Sequence, residues 1–202
     1  MRITKIFTVE SSHIVRNCTS ERCSHSVHGH SYKIECEFES ETLDNAQMVI
    51  DFGLMKGSIK AWIDSMDHCH IICSKDSQEY KSFFKKCNDR WIEVPFNPSA
   101  EMLSVWILAQ LTEMLKRTIF ANGEKGPWVR SVTVWETATG RATAEPQDLV
   151  NIWKDGWFKE ISYSEGVAND WPQELRQFVL QQKYGEAGAC FRNPTIEQQI
   201  QL

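Results

Sequence analysis

Three histidines and a cysteine lie within eighteen residues of the N-terminal region and can form a metal centre. His28 and His30 are separated by one glycine, and His13 lies fifteen residues upstream. Side chains two residues apart on a strand point to the same face, so His28 and His30 can present two nitrogens to one ion. His13 ends a second alternating segment and adds a third nitrogen if the intervening loop doubles back. We therefore predict a three-histidine site for Zn²⁺.

This ligand set is typical of catalytic zinc. Three nitrogen ligands leave the fourth coordination position open, whereas structural zinc is usually closed by four ligands, mostly cysteines. Cys23 lies between His13 and His28 and can place a thiol near the ion, where a cation favours the reactive thiolate form. One alternative stays open: Cys23 is itself the fourth ligand, and the protein is a non-catalytic zinc-binding oligomer.

Composition narrows the class of protein. A chain of 202 residues with 42% hydrophobic content is long enough for one well-cored domain and short for two. The net charge of -5 argues against a nucleic-acid partner. No apolar leader or long apolar run is present, so we expect a cytoplasmic protein without a membrane partner. Seven cysteines without framework spacing are expected to be mostly reduced.

Hydrophobic periodicity predicts two strands, then two helices, then two strands. Ser99 can cap the second helix. This order predicts an α+β fold with helices on one face of an antiparallel sheet. The predicted segments are strands 2–13 and 31–39, helices 54–66 and 99–115, and strands 129–137 and 149–158. Between the two helices, residues 69–74 are predicted to form a short extended piece and residues 75–90 a further helix.

The pattern fades after about residue 158. We predict a catalytic domain over residues 1–158 and a C-terminal extension over residues 159–202, to which no role is assigned. Within the extension, residues 171–184 are predicted to form an amphipathic helix.

Four segments in order, HGHSYK after a cysteine-bearing loop, MVIDFGLMK, MDHCHI and VWET, resemble the 6-pyruvoyl-tetrahydropterin synthase and 6-carboxytetrahydropterin synthase family. The resemblance covers roughly residues 3–140 and is strongest to the bacterial 6-carboxy enzymes. It implies a tunnelling fold of ββααββ order, with a four-stranded antiparallel sheet and two helices on one face. It also implies trimers whose sheets form a barrel, and hexamers built from them.

The resemblance assigns the metal and the base. It implies that His13, His28 and His30 bind zinc and that Cys23 abstracts a proton from the substrate. Four residues separate Cys23 from His-Gly-His, a spacer that differs from those of both the bacterial and the animal members. Cys18 therefore remains a second candidate for the base.

The resemblance also implies further catalytic and binding residues. Asp67 and His68 match the family's Asp/His dyad, and histidine exchanges protons near neutral pH. Glu136 matches the glutamate that anchors the pterin ring, where a carboxylate can accept two hydrogen bonds from adjacent N–H groups. Ser99 and Glu101 are candidates for the pocket wall.

The implied activity is that of a zinc-dependent lyase. It would convert 7,8-dihydroneopterin triphosphate to 6-carboxy-5,6,7,8-tetrahydropterin with release of acetaldehyde and triphosphate, on the route to 7-deazaguanine and queuosine. The zinc would act as a Lewis acid on the side-chain hydroxyls. The alternative product is 6-pyruvoyl-tetrahydropterin. The expected partners are this pterin triphosphate and further copies of the chain, as a trimer or hexamer.

Overall fold

Seven strands form one mixed sheet in the computed structural model of this chain, which describes residues 1–193. A separate pair of two-residue strands lies beside it. The strands are β1 (Arg2–His13), β2 (His28–Glu39), β3 (Cys69–Cys73), β4 (Trp91–Val94), β5 (Thr118–Ile119), β6 (Trp128–Trp135), β7 (Arg141–Ala144), β8 (Ser162–Tyr163) and β9 (Phe191–Arg192).

The sheet runs β7, β6, β2, β1, β3, β4, β8 from edge to edge. β1, β2, β6 and β7 pair antiparallel, whereas β3 adds to β1 in parallel and β4 adds to β3 in parallel. β8 returns antiparallel to β4, and β5 pairs with β9 outside the sheet.

The hairpin of β1 and β2 sets the two faces of the sheet. Apolar side chains alternate along both strands, so Phe7 and Val9 of β1 and Tyr32 and Ile34 of β2 are buried on one face. We call this the inner face, because helices cover it. The opposite, outer face carries most of the charged side chains of both strands, such as Glu10, Lys33 and Glu35.

Nine short to medium helices complete the described part of the chain. A 3₁₀ turn, Asp64–Met66, follows the third. The helices are α1 (Glu21–His25), α2 (Phe52–Lys56), α3 (Ser58–Ile63), α4 (Gln78–Cys87), α5 (Ala100–Lys116), α6 (Pro146–Asn151), α7 (Trp157–Glu160), α8 (Glu165–Ala168) and α9 (Gln173–Tyr184).

The longest helix, α5, is the centre of the inner layer. The Ser99 hydroxyl caps it by accepting a hydrogen bond from the Met102 amide, as the sequence predicts. Trp106 is fully buried and meets Trp62 of α3 edge to face, with 5.2 Å between ring centroids. The predicted helix 54–66 divides at Gly57 into α2, α3 and the 3₁₀ turn.

The predicted α+β class is confirmed, but the sheet has seven strands and not four: β1, β2, β6 and β7 pair antiparallel, and β3 and β4 extend the sheet in parallel. β3, a run of five residues that are all buried, pairs with the free edge of β1 at Ser11–His13 and begins a parallel extension. A strand buried on both faces reads as a continuous apolar run, so it does not show the alternation that predicts an antiparallel strand.

The strand predicted over 149–158 is also wrong, because β7 comes earlier and helices follow it. Pro146 lies in the first turn of α6, and the Asp148 carboxylate accepts a hydrogen bond from the Glu145 amide at 2.8 Å. Trp153 and Trp157, four residues apart, both pack against Phe96. These apolar residues follow helical spacing, not the spacing of a strand.

The C-terminal segment packs against the core. Trp171 donates a hydrogen bond through Nε1 to the Ser65 hydroxyl at 2.6 Å, and Phe178 of α9 is fully buried. The predicted helix 171–184 corresponds to α9, and the end of the predicted extension, residues 194–202, lies outside the described residues. Within residues 1–193, no helix combines the length and the apolar character that crossing a membrane requires.

We predict that Phe178→Ala lowers the free energy of unfolding by about 3–5 kcal/mol, because it leaves a large cavity between α9 and the core. Leu180→Ala is the matched control: Leu180 is 53% exposed on the same helix, and its loss should change little. Urea unfolding at one fixed protein concentration measures both. Equal effects of the two substitutions would contradict the packing of α9.

Candidate functional site

Three imidazoles converge at one end of the β1–β2 hairpin. The register pairs His13 with His28 and Ser11 with His30, so all three histidines point to the inner face. Their ring centroids lie 4.6 to 5.3 Å apart, and one nitrogen from each falls within 4.8 Å of the others. The structure therefore brings together all three predicted ligands in an arrangement that could hold a metal ion.

Backbone carbonyls orient two of these rings. His13 Nδ1 lies 2.6 Å from the Pro98 carbonyl, and His28 Nδ1 lies 3.0 Å from the Ser26 carbonyl. A carbonyl only accepts, so each Nδ1 carries the proton and each Nε2 keeps a free lone pair. Outer contacts of this kind fix the tautomer of metal-binding histidines.

The third ring supports a metal site through an unpaired atom. His30 Nε2 is buried and has no hydrogen-bond partner within the described part of the chain. A buried polar nitrogen without a partner is costly, and coordination to an ion would satisfy it. Three imidazole nitrogens suit zinc and other transition metals better than magnesium or calcium, which prefer oxygen.

Burial keeps two of the ligands neutral. It lowers the pKa of His13 to about 4, against the opposing effect of the Pro98 carbonyl, and neighbouring His28 and His30 add to the decrease. Burial also lowers the pKa of His30, against the attraction of Glu136. Neutral imidazole is the form that binds metal, so these rings are ready to coordinate near neutral pH.

Glu136 lies beside the ligands. One carboxylate oxygen is 3.4 Å from His13 Nε2 and 3.7 Å from His30 Nε2, at the end of β6. The Tyr32 hydroxyl is 3.2 Å from His13 Nδ1, and burial raises the pKa of Tyr32, so the phenol stays protonated. The sequence does not single out Tyr32 as a site residue, although it alternates with His28 and His30 on the same strand.

The cysteine-bearing loop returns to the metal-binding end of β1. The Val15 amide, two residues beyond His13, donates a hydrogen bond to the Cys23 carbonyl at 2.9 Å. Cys23 is half-buried in the single-turn helix α1. Cys18 is also half-buried, and its thiol donates to the Ser20 carbonyl at 3.3 Å. All seven cysteines are free thiols.

Asp67 and His68 lie next to each other at the start of β3. Asp67 Oδ1 accepts a hydrogen bond from the Glu10 amide at 2.8 Å, and the His68 amide donates to the Glu10 carbonyl at 2.7 Å. His68 has a φ of 53°, an uncommon left-handed conformation, and its side chain is 78% exposed. His68 Nε2 is 3.7 Å from Asp67 Oδ2, beyond hydrogen-bond reach.

His68 faces a cavity on the outer side of the sheet. The cavity has a volume of about 350 Å³, and Glu10, Ser12 and Ser31 line it together with Arg90. Glu10, Ser12 and Ser31 alternate with the histidine ligands along β1 and β2, so they point away from the metal-binding face. Ser11 and the ligand His30 line the same cavity, which therefore reaches the metal-binding end of the hairpin, and Asp67 and His68 are held there by the Glu10 backbone.

The remaining predicted residues lie at the start of α5. Ser99 is occupied as the helix cap, and Glu101 is exposed in the first turn. Pro98, the residue before Ser99, orients the ligand His13 through its carbonyl. Sequence reasoning missed this contact because any residue type carries a carbonyl.

His70 is buried beside the cavity that His68 faces. Its ring lies 2.8 Å from the Ser12 hydroxyl and 2.6 Å from the Tyr80 hydroxyl and stacks on Phe84. Burial lowers the pKa of His70 to about 4, so the ring is neutral and is held as a structural polar group.

Comparison with known proteins gives consistent family matches. The sequence model of a family described as 6-pyruvoyl tetrahydropterin synthase matches residues 2–147. A Helicobacter pylori protein (strain J99) named 6-carboxy-5,6,7,8-tetrahydropterin synthase is 37% identical over 173 residues, covering 85% of this chain and 86% of the relative. An Aquifex aeolicus protein of the same name is 33% identical over 156 residues, covering 69% of this chain and 94% of the relative.

Solved structures agree at the level of the fold. An uncharacterized protein from Wolinella succinogenes superposes with a TM-score of 0.56 at 22% identity, covering 72% of this chain and 98% of that protein.

We predict that the protein binds one equivalent of a divalent transition metal and that His28→Ala abolishes stoichiometric binding, because two imidazoles cannot hold the ion as three do. His25→Ala is the control, since His25 is an exposed histidine three residues away. Metal content after reconstitution and dialysis measures both. Full metal retention in His28→Ala would contradict the site.

Proposed function

Because this chain belongs to the 6-pyruvoyl tetrahydropterin synthase family, we propose that it converts 7,8-dihydroneopterin triphosphate to 6-carboxy-5,6,7,8-tetrahydropterin, with release of acetaldehyde and triphosphate. This is a zinc-dependent lyase reaction on the route to 7-deazaguanine and queuosine. The observation that carries the proposal is the convergence of His13, His28 and His30 beside Glu136 and the cysteine-bearing loop. The 37% identity to the Helicobacter pylori relative supports the 6-carboxy product.

We propose zinc as the ion. The three histidines would hold it through nitrogen, with Pro98 and Ser26 keeping the rings in the metal-binding tautomer. When bound, zinc would supply Lewis acidity to the hydroxyls of the substrate side chain.

Cys23 is the proposed proton acceptor. Its loop begins directly after His13, and the hydrogen bond from the Val15 amide keeps its backbone near the metal-binding end of β1. A thiolate held against the side-chain carbon removes a proton from it, and precise positioning is the main contribution that the protein makes to such a step.

Asp67 and His68 are proposed to act on the site of a neighbouring copy. The 78% exposure of the His68 side chain, next to the outer-face residues Glu10, Ser12 and Ser31, supports this. The exposed His68 ring is free to reach a second chain and to carry a proton there. A trimer or hexamer would supply such a neighbour.

Glu136 is proposed to anchor the pterin ring. Its position beside His13 and His30 would place the pterin ring next to the three-histidine site. The carboxylate accepts two hydrogen bonds from adjacent ring N–H groups, a planar match that orients the substrate. Ser99 and Glu101 remain proposed contributors to the pocket wall.

The product decides between two reactions. The matching family is described by the 6-pyruvoyl activity, which keeps the three-carbon side chain. We predict that the purified, zinc-loaded protein releases acetaldehyde in a one-to-one ratio with 6-carboxytetrahydropterin. Mass spectrometry of the pterin together with an acetaldehyde assay measures both, and His28→Ala is the inactive control. A 6-pyruvoyl product without acetaldehyde would favour the alternative.

The two cysteines are separated by matched serine variants. We predict that Cys23→Ser loses turnover by at least roughly 10²-fold, the usual scale for a general base, and keeps its zinc. Cys18→Ser, in the same loop, should keep both. Loss of zinc and of stability in Cys23→Ser would instead favour the structural four-ligand site. Loss of turnover in Cys18→Ser alone would move the base to Cys18.

A further inference from the structure

The short segment Asn97–Pro98, directly before α5, supports both a metal ligand and the cysteine-bearing loop. The Pro98 carbonyl accepts the hydrogen bond from His13 Nδ1. Its neighbour Asn97 grips the backbone of Arg16 on both sides: the side-chain oxygen accepts from the Arg16 amide at 2.9 Å, and the side-chain nitrogen donates to the Arg16 carbonyl at 2.7 Å. The start of the loop and the ligand are therefore fixed to the same short segment.

The side chain of Arg16 then reaches across the loop to the cysteine turn. Nη1 donates to the Ser24 carbonyl at 3.0 Å, and Nε donates to Asp76 Oδ1 at 2.6 Å. The Asp76 side chain is only 5% exposed, so this charged pair is screened little by water. The guanidinium also lies over the Tyr80 ring, 5.4 Å from its centroid.

Cys23 is held from both sides by this arrangement. The Val15 amide binds the Cys23 carbonyl, and Arg16 binds the next carbonyl along, that of Ser24. The helix that carries Cys23, α1, is five residues long. A single helical turn is not stable alone, so its position must come from tertiary contacts.

We propose that Arg16, fixed by Asp76 and Asn97, is a positioning residue that holds Cys23 in place relative to the three-histidine site. The proposal rests on the proposed function, in which Cys23 is the base. Arg16 does not touch the metal ligands through its side chain; it acts through the carbonyl of Ser24, the residue that follows Cys23. Lysine replaces it only in part, because one ammonium does not match the planar fork that bonds Asp76 and Ser24 together.

The test uses Arg16→Met, which keeps the aliphatic stem and removes the fork. We expect kcat to fall by roughly 10²-fold, the cost of misplacing a catalytic group by about 1 Å, with KM and zinc content unchanged. Arg16→Lys keeps the charge but not the fork, so its kcat should lie between those of Arg16→Met and the wild type. Arg22→Met is the matched control, because Arg22 is exposed in the same loop, and it should behave as wild type.

A second measurement does not depend on turnover. Iodoacetamide alkylation of Cys23, followed by peptide mass spectrometry, should be several-fold faster in Arg16→Met than in the wild type, because the released turn exposes the thiol. It should be unchanged in Arg22→Met. A wild-type alkylation rate or a wild-type kcat in Arg16→Met would overturn the proposal. If the wild type itself shows no turnover, the proposed function fails, and the alkylation comparison alone decides the role of Arg16.

A double variant separates positioning from folding. Arg16→Met leaves the buried Asp76 carboxylate without its partner, which can destabilise the protein. Arg16→Met/Asp76→Asn removes that stranded charge and leaves the Ser24 carbonyl untethered. We expect stability to recover while kcat stays low. Recovery of kcat together with stability would show that the Arg16–Asp76 pair only stabilises the fold, and would overturn the proposal.

Discussion

The antiparallel register of β1 and β2 is the constraint on which the site depends. It sets His13 opposite His28 and Ser11 opposite His30, and the two-residue period of a strand then sends all three imidazoles to one face. A slip of one residue in either strand would turn its ligands to the outer face and expose its buried row. The burial of Phe7, Val9 and Ile34 against α5 and its neighbours opposes that slip, so the packing of the core also specifies the ligand geometry.

The three histidine ligands were predictable from the sequence, because they follow the alternating pattern of two strands. Regular alternation marks both β1 and β2, and His13 ends one alternating row while His28 and His30 begin the other. The cap at Ser99 was equally visible, because a short hydroxyl side chain before an apolar helical run has a specific local cause. These features depend on residue type and spacing within a few positions.

Other features depend on contacts distant in sequence, and the sequence does not reveal them. The extended piece predicted over residues 69–74 corresponds to β3, but its parallel pairing depends on the free edge of β1. The Pro98 and Ser26 carbonyls orient ligands through atoms that every residue has. Arg16 is bonded to Asp76 and Asn97, which lie some sixty and eighty positions further along the chain. Only the folded chain brings these residues together.

The direct test of the metal-centre account is the coordination shell of the zinc-loaded protein, measured by X-ray absorption at the zinc edge. We predict three imidazole nitrogens and one further light atom at about 2.0–2.1 Å, with the fourth position left to water or substrate. A sulfur scatterer at about 2.3 Å would place Cys23 or another thiol in the shell and make the site a closed structural one. That result, or a shell with fewer than three imidazoles, would contradict the account.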